Sequence, residues 1–378
     1  MQNIRAEVQL PTSDLQGDIG FFTTTLGFRM EEIFPADDPA VVTLQGYGLR
    51  LRLDRESAAG AGVVRMLCDD PMLIAGGATE LTAPGGTRVD IVPLAPPIVM
   101  PPVASEWVVR RLTDSAPWVV GRAGMQYRDL IPSRLGGAII ASHIRIPDGG
   151  PVPDMVHYHS IGFQLIFCYK GWVDLVYEDQ GPPFRLTAGN CVIQPPGIRH
   201  RVLYASADLE VIEIGVPADH ITTIDHALDL PTDRLRPDRT WDGQRFVHFQ
   251  SDAAPWGASK VAGYAAQDTT IGDNTNGVAQ VHVLRPDGKA THPWTQSDDI
   301  YFGFVLAGAL TLTRTGQAPQ TVTAGDAFVV PSGMDIALCD PSDDAQILQV
   351  TLPALGPGDA PATTEGLAAG PGAKAAQV

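Results

Sequence analysis

The sequence predicts a mainly β protein, in which two antiparallel β barrels follow a small α+β module. Short alternating or apolar runs, such as GGAIIASHIRI and FGFVLAGALTLTRT, recur along the 378 residues. Turn signals separate these runs, because the chain contains 39 glycines and 32 prolines. Helical periodicity is scarce. Strands of this length and spacing are typical of an antiparallel sandwich or barrel.

The first 95 residues predict the α+β module. The stretch EVQLPTSDLQGDIGFFTTTLGFRMEEIF predicts a strand, a helix that Ser13 or Asp14 can cap, and a second strand. Three more strand-like runs follow. This order, with its DL and LGF segments, resembles the vicinal-oxygen-chelate (glyoxalase/bleomycin-resistance) module. The resemblance implies Glu7 and Asp90 as metal-ligand positions, but the second half-module lacks its helix, so we expect a scaffold or dimerisation role.

Composition shifts divide the rest of the chain. Residues 96–113 are Pro-rich and predict an extended linker. Residues 114–232 predict the first barrel and residues 233–353 the second. Residues 354–378 form a low-complexity tail that we expect to be disordered.

Charge and cysteine content narrow the function classes. The net charge is −17 and the acidic residues are dispersed, which argues against binding nucleic acid or an anionic membrane. The four cysteines form no CxxC pair, so we expect reduced thiols. The first residues contain no apolar signal segment, and no apolar run reaches 18 residues. We therefore expect a cytoplasmic protein that acts on a small molecule.

The stretch VHYHSIGFQLIFCYKG predicts a metal site. His157 and His159 point to the same face of a strand, because side chains alternate along it. Gln164 follows five residues later. Downstream, the turn in GNCVIQPPGIRH directs His200 onto a neighbouring strand. Three imidazoles and one amide oxygen make a donor set suited to Fe, Mn, Ni, Zn or Cu.

These two stretches resemble the paired signatures of the cupin superfamily, GX5HXHX3-4EX6G and GX5PXGX2H. The second signature matches at Gly189, Pro195, Gly197 and His200. The first departs from the pattern twice: Gly150 lies one residue too far upstream, and Gln164 replaces the usual Glu. The resemblance implies two cupin barrels of the jelly-roll (double-stranded β-helix) type, with His157, His159, Gln164 and His200 as the metal ligands of the first.

The neutral ligand set guides the functional interpretation. Without a carboxylate ligand the metal keeps its full positive charge, which favours an anionic, chelating substrate. The leading interpretation is a non-haem Fe(II) dioxygenase that cleaves a C–C bond of a small metal-chelating aromatic or enolic acid, as the resemblance to two-cupin dioxygenases implies. The alternatives are a redox-neutral lyase or isomerase that uses Zn, Mn or Ni on a sugar-acid-like substrate, and a non-catalytic ligand-binding cupin.

The second barrel repeats the pattern without the ligands. Its equivalent positions carry His292, Trp294, Tyr301 and Ile336. One histidine cannot hold a catalytic ion, so we expect this barrel to have kept the fold and lost the site.

Three further residues are candidates for catalysis. His143 and Arg145 alternate on the strand ASHIRI, where an inward orientation would let them act as acid or base and as carboxylate clamp. An outward, solvated pair is the other interpretation. Glu213, in LEVIEIGV, is a candidate proton-transfer carboxylate. Cupins often pair through their sheets, so the resemblance also implies a homodimer.

Overall fold

The computed structural model describes residues 6–35, 38–114 and 118–352. The predicted tail, residues 354–378, lies outside the described residues. The chain divides into two compact units, Met1–Pro97 and Ile98–Val378. Within the described ranges no helix is both long enough and apolar enough to cross a membrane.

Among its described residues, the first unit contains one α-helix and two small sheets. Helix α1 spans Leu15–Gly20, continues as a π-helical turn over Phe21–Thr25, and begins at Asp14, whose carboxylate accepts a hydrogen bond from the Gly17 amide at 2.9 Å. Sheet order is β1-β4-β3-β2 in one sheet and β5-β7-β6 in the other. The strands are β1 Val8–Pro11, β2 Arg29–Phe34, β3 Val41–Gly46, β4 Leu49–Asp54, β5 Val63–Cys68, β6 Glu80–Thr82 and β7 Arg88–Pro93; short 3-10 turns cover Pro71–Leu73 and Ala75–Gly77.

The two residues that the glyoxalase resemblance implied as ligands have arginine partners. Glu7 lies 3.1 Å from Arg50, which also pairs with two glutamates of β2. Asp90 lies on β7, in the other sheet, 3.3 Å from Arg88. Ion pairing therefore accounts for both carboxylates within this unit.

The regular secondary structure of the second unit is almost entirely β-strand. Its only regular α-helical turn among the described residues, α2, spans Ile271–Asn274, and 3-10 turns cover Arg122–Gly124, Arg134–Gly137 and Ser251–Ala253. The first group of strands is β8 Val108–Arg110, β9 Val119–Val120, β10 Gln126–Asp129, β11 Ile140–Ile146, β12 Gly150–Pro151, β13 His157–Ser160, β14 Phe163–Lys170, β15 Trp172–Tyr177, β16 Phe184–Thr187, β17 Cys191–Ile193, β18 His200–Ala205, β19 Leu209–Val216, β20 Ile221–Ile224, β21 Thr240–Trp241, β22 Gln244–Arg245 and β23 His248–Phe249. The second group is β24 Gly257–Ala258, β25 Tyr264–Asp268, β26 Gln280–Pro286, β27 Trp294–Thr295, β28 Ile300–Ala307, β29 Ala309–Arg314, β30 Gln320–Thr323, β31 Ala327–Pro331, β32 Asp335–Cys339 and β33 Gln346–Leu352.

Most of these strands form two jelly-roll sandwiches, while β21 and β22 pair as a separate two-stranded sheet and β12 pairs with β18. In the first, the sheet β23-β17-β14-β19-β11-β10-β9 faces the sheet β16-β15-β18-β13-β20. In the second, the sheet β24-β25-β26-β33-β28-β31-β8 faces the sheet β27-β32-β29-β30. The sheets are open rather than closed into barrels. The prediction of a mainly β, jelly-roll fold is confirmed.

The two seven-stranded sheets pack against each other, so the unit has four layers. Along β14, Leu165 and Phe167 enter the core shared with the second sandwich, where they meet Phe302 and Phe304 of β28. The alternate residues, Ile166 and Cys168, face the interior of the first sandwich. Both faces of this sheet are therefore buried, as the near-continuous apolar sequence of β14 requires.

Two strands pair with a sandwich to which the predicted domain bounds do not assign them. Strand β8 falls within the predicted linker, residues 96–113, yet it pairs with β31 of the second sandwich. Strand β23 falls within the range predicted for the second barrel, yet it pairs with β17 of the first. Each covers the edge of a sheet whose backbone groups would otherwise lack partners.

Candidate metal centre

Three histidines converge inside the first sandwich. His157, His159 and His200 are all buried, and one ligand nitrogen from each lies within 4.8 Å of the others. Their ring centroids are 4.2 Å apart for His157 and His200 and 5.2 Å apart for the other two pairs. Among the described residues, this is the one group of three or more His, Cys, Asp or Glu side chains with such a geometry.

Strand pairing produces the convergence. His157 on β13 lies directly opposite His200 on β18 in an antiparallel pair, and His159 shares the face of His157. The turn before His200 depends on Gly197, whose φ of 78° is in the left-handed region. The Gly197 amide donates to the His159 carbonyl at 3.0 Å, which ties the turn to β13.

The hydrogen bonds of the imidazoles leave their Nε2 atoms available. His157 Nδ1 donates to the Met155 carbonyl at 2.8 Å, and His200 Nδ1 donates to the Ile198 carbonyl at 3.0 Å. A carbonyl can only accept, so the proton resides on Nδ1 in both rings. His159 Nδ1 lies 2.9 Å from the Thr222 hydroxyl. Such partners orient metal-binding histidines, and the buried His157 Nε2 has no protein partner.

Gln164 contributes a buried amide next to Glu213, which lines one cavity with His159 and His200. Its Nε2 donates to Glu213 Oε1 at 2.7 Å, which fixes the amide orientation. Its Oε1 is buried and has no hydrogen-bond partner. A buried amide oxygen and a buried imidazole nitrogen without partners are atoms that a metal ion would satisfy. The donor set of His157, His159, His200 and Gln164 thus fits a borderline divalent ion such as Fe(II), Mn, Ni or Zn.

Burial keeps the three imidazoles neutral, which is the state that binds metal. Desolvation lowers the pKa of His159 to about 2 and lowers the pKa of His157. Burial also lowers the pKa of His200 well below its usual value. Repulsion between the neighbouring rings adds to the shift of His159 and His200.

The lowered pKa values predict an acid-sensitive apo protein. Unfolded histidine titrates near pH 6.5. Below that pH the unfolded chain binds protons that the folded site excludes, so the free energy of unfolding falls as the pH falls from 6.5 towards the pKa of about 2 for His159. His159 alone is expected to remove about 1.4 kcal/mol per pH unit. Urea unfolding of metal-free protein between pH 7.5 and 5.5 measures this. A free energy of unfolding that stays constant or rises would contradict it.

A cavity opens beside the histidines within the same sandwich. Most of its wall is aliphatic. Its lining residues are Arg122, Met125, Tyr127, Ile144, Ile146, His159, Ile166, Val173, Leu175, Gln194, His200, Val202, Leu209, Val211 and Glu213. Because the cavity includes two of the histidines, a molecule in it can reach a metal held by them.

The polar groups of the cavity are few and mostly engaged. Burial raises the pKa of Glu213, although the hydrogen bond from Gln164 opposes the shift. Burial and the nearby Glu213 raise the pKa of Tyr127 to about 12, so its hydroxyl stays protonated. Gln194 donates to the Tyr177 hydroxyl at 2.9 Å. Arg122 is paired with Asp154, which also accepts from the Val202 amide at 2.9 Å.

The structure brings Glu213 to this site but does not bring His143 or Arg145 there. Both lie on the face of β11 that is directed at the second sandwich. His143 is buried, with Nε2 2.6 Å from Glu210 and Nδ1 3.2 Å from the Arg128 guanidinium. Arg145 donates to Gln126 at 2.7 Å. The inner face of β11 carries Ile144 and Ile146 instead, because the strand alternates.

Sequence reasoning missed four residues around the cluster: Arg122, Asp154, Gln194 and Thr222. Gln194 directly precedes Pro195 in the matched signature, which is a signal that could have identified it. The other three lie outside any motif, and only the tertiary contacts show their position.

In the second sandwich, large side chains stand at three of the four positions that correspond to the ligands of the first. Tyr301 and Ile336 are buried in its interior, and the Trp294 ring packs 6.0 Å from the Tyr301 ring. Trp294 lies opposite Ile336 in an antiparallel pair. His292, by contrast, is exposed. Trp294 and Ile336 offer no metal ligand, so the described residues form no second histidine cluster here.

Comparison with known proteins gives similarity at low identity. No protein-family model and no curated protein matches the chain. Among solved structures it is similar to a salicylate 1,2-dioxygenase from Pseudaminobacter salicylatoxidans, with 16% identity, 67% of this chain and 86% of that chain covered, and a TM-score of 0.49. It is also similar to a mutant oxalate decarboxylase from Bacillus subtilis, with 13% identity, coverage of 69% and 80%, and a TM-score of 0.48. Protein Ylba from E. coli has 13% identity, coverage of 68% and 95%, and a TM-score of 0.45. Similarity at this level assigns no activity to the chain.

Proposed function

We propose that the protein is a metal-dependent enzyme, a non-haem Fe(II) dioxygenase that cleaves a C–C bond of a small metal-chelating aromatic or enolic substrate. Dioxygen is the oxidant, both of its atoms enter the products, and no external reductant is required. One Fe(II) held by His157, His159, His200 and Gln164 would supply the redox chemistry when bound.

One observation carries this proposal: a neutral donor set opens onto a cavity whose wall is mainly aliphatic. Such a wall excludes water and accepts carbon-rich substrates. A sugar acid carries several hydroxyl groups that need hydrogen-bond partners, and aliphatic walls provide none. The cavity therefore favours an oxygenase with an apolar substrate over a sugar-acid isomerase.

Residues that line the cavity would have separate roles in orienting the ligand, transferring a proton and enclosing the substrate. Glu213 holds the Gln164 amide through one oxygen, so that Gln164 Oε1 remains directed away from Glu213. We propose that Glu213, whose carboxylate lines the cavity, accepts the proton that an enol or phenol loses on chelation. Ile144, Ile166 and Val211 enclose the body of the substrate.

A redox-neutral lyase or isomerase with Zn, Mn or Ni remains the second candidate. The neutral Gln164 ligand favours it, because a metal without a carboxylate ligand is a stronger Lewis acid. A non-catalytic binding protein is the third. The second and third candidates differ from the first in that neither consumes dioxygen.

Oxygen uptake tests the proposal. Protein loaded with Fe(II) under argon is mixed with enolic and catechol-type chelators in air-saturated buffer, and an oxygen electrode records consumption. We expect about one O2 per substrate cleaved, with both atoms of labelled dioxygen in the products. Substrate conversion at an equal rate under argon would contradict the dioxygenase and support the lyase or isomerase.

Two variants accompany this assay. His157→Ala is expected to abolish oxygen uptake, since it removes a ligand. Glu213→Gln keeps an oxygen acceptor for Gln164 but cannot take up a proton at neutral pH, so turnover is expected to fall about 100-fold or more while the bound iron is retained. Full turnover by Glu213→Gln would exclude the proton-accepting role.

A further inference from the structure

The charged groups of the cavity are nearly balanced without a substrate. Among the described residues that line it, the two charged side chains are Arg122 and Glu213. Arg122 is the one cation, and its guanidinium is paired with Asp154. A substrate carboxylate that does not itself bind the metal would need a further cation in this cavity.

Arg122 could serve that carboxylate only by sharing with it a charge that Asp154 already compensates. The Asp154 side chain is only 2% exposed, and it depends on Arg122 for charge compensation. It also accepts from the Val202 amide at 2.9 Å and lies 3.7 Å from His157 Nδ1. If Arg122 turned to a ligand, a buried carboxylate would lose its partner beside the cluster, which is strongly unfavourable.

The rest of the wall offers a carboxylate no cation, and its two neutral polar donors, Tyr127 and Gln194, already have partners at 3.8 and 2.9 Å. Its side chains include Ile146, Val173, Leu175 and Leu209, which neither donate hydrogen bonds nor carry charge. Glu213 would repel a second anion, since the two would share a cavity of low polarity. The binding free energy of an apolar substrate body, in contrast, becomes more favourable with each methylene that leaves water.

We infer that the substrate is an apolar molecule that chelates the metal through a bidentate oxygen head, such as an enolisable 1,3-dicarbonyl group or an ortho-hydroxyketone, and carries no carboxylate outside that head. This inference rests on the proposed function and narrows its substrate class: the sequence predicts an acid, and the cavity confines any carboxylate to the chelating head. The chelating head becomes a monoanion on the metal, and the aliphatic wall encloses the remainder.

Binding to the Co(II)-loaded full-length protein tests the inference. The probes are pentane-2,4-dione, heptane-2,4-dione, 1-phenylbutane-1,3-dione and the 4-carboxyphenyl analogue of the last, and the cobalt visible spectrum reports binding. We expect the dissociation constant to fall about threefold to fourfold for each added methylene. We expect the carboxylated probe to bind at least about 30-fold more weakly than its phenyl parent. Equal or tighter binding of the carboxylated probe would overturn the inference.

A variant tests the role given to Arg122. Asp154→Asn removes the charge that engages Arg122, so the carboxylated probe is expected to bind about tenfold more tightly or better than to the unmodified protein. The matched control is Asp174→Asn, which breaks the exposed pair with Arg185 on the same sandwich and is expected to change nothing. Cobalt content is measured for both. An Asp154→Asn protein that holds cobalt and gains no affinity for the carboxylated probe would overturn the argument from charge.

Oxygen uptake tests the proposed reaction and probe binding tests the proposed substrate class, so the two proposals can fail independently. If the neutral probes bind as expected and no oxygen is consumed, the dioxygenase fails and the substrate class stands. If oxygen is consumed and the carboxylated probes bind better, the substrate class fails and the dioxygenase stands. If no probe perturbs the cobalt spectrum, the metal centre is closed to substrate and both proposals fail.

Discussion

Replacing His200 by alanine is expected to remove the bound metal. His200 is buried, and its Nε2 is directed into the cluster because Nδ1 is engaged by the Ile198 carbonyl. Loss of an outer partner of a metal-binding histidine weakens affinity about 10-fold to 100-fold, so loss of a ligand itself should weaken it by more than about 100-fold. Elemental analysis after gel filtration should find below about 0.1 metal ion per chain, against about one in the unmodified protein.

The control for this variant is His248→Ala. His248 belongs to the first sandwich, where it stacks on Phe184 at 4.3 Å and is not part of the cluster. It should retain the metal. Full metal content in His200→Ala would remove His200 from the ligand set, and loss of metal in both variants would point to a general defect in folding.

Replacing Arg128 by methionine is expected to destabilise the second unit by about 3 kcal/mol. Arg128 is 2% exposed and lies where the two sandwiches meet. Its guanidinium donates to the carbonyls of Arg111 at 3.0 Å and Gly325 at 2.8 Å, and lies 3.2 Å from His143 Nδ1. Methionine keeps much of the apolar volume but leaves these buried acceptors without a donor. Urea unfolding measures the change in the free energy of unfolding.

Arg134→Met is the matched control for Arg128→Met. The Arg134 side chain is 41% exposed, and its pairs with Asp129 and Asp219 are 3.6 and 3.4 Å long. Exposed pairs of this kind contribute about 0 to 1 kcal/mol. If Arg128→Met lowers the free energy of unfolding no more than Arg134→Met does, the buried donor has no special role between the sandwiches.

The sequence could predict the cluster because its determinants are local. Alternation along β13 places His157 and His159 on one face, and the Pro-Pro-Gly turn at Gly197 returns His200 to the adjacent strand. The same alternation on β14 places Gln164 on the face of Ile166 and Cys168, which is directed into the first sandwich. Motif spacing therefore carried enough information to predict that the three histidines converge, while Gln164 as the fourth ligand stays a prediction.

The orientation of His143 and Arg145 could not be predicted in this way. Alternation says only that the two share a face of β11, and both faces of that strand are buried in the four-layer unit. One face looks into the first sandwich and the other towards the second. His143 lies on the face directed at the second sandwich, where it contacts Arg128 and Glu210. No local sequence pattern predicts these contacts.

The other features that the sequence did not predict depend on contacts between residues that are far apart in the chain. Strand β8 has a sequence too short to predict a strand, and its partner β31 lies more than 200 residues away. Arg122 and Asp154 meet across 32 residues of chain and without a shared motif. Such pairs depend on the packing of whole layers, which a single sequence does not encode in any local pattern.

The metal content of the protein purified without added metal is the most direct test of the metal centre. We expect about one divalent transition-metal ion per chain, with iron as the predominant element, and its loss from a His157→Ala variant prepared in parallel. Zinc, manganese or nickel at the same stoichiometry would retain the ligand set and transfer the proposed function to the lyase or isomerase. No metal in the unmodified protein, even after reconstitution with Fe(II), would contradict the assignment of His157, His159, Gln164 and His200 as a metal centre.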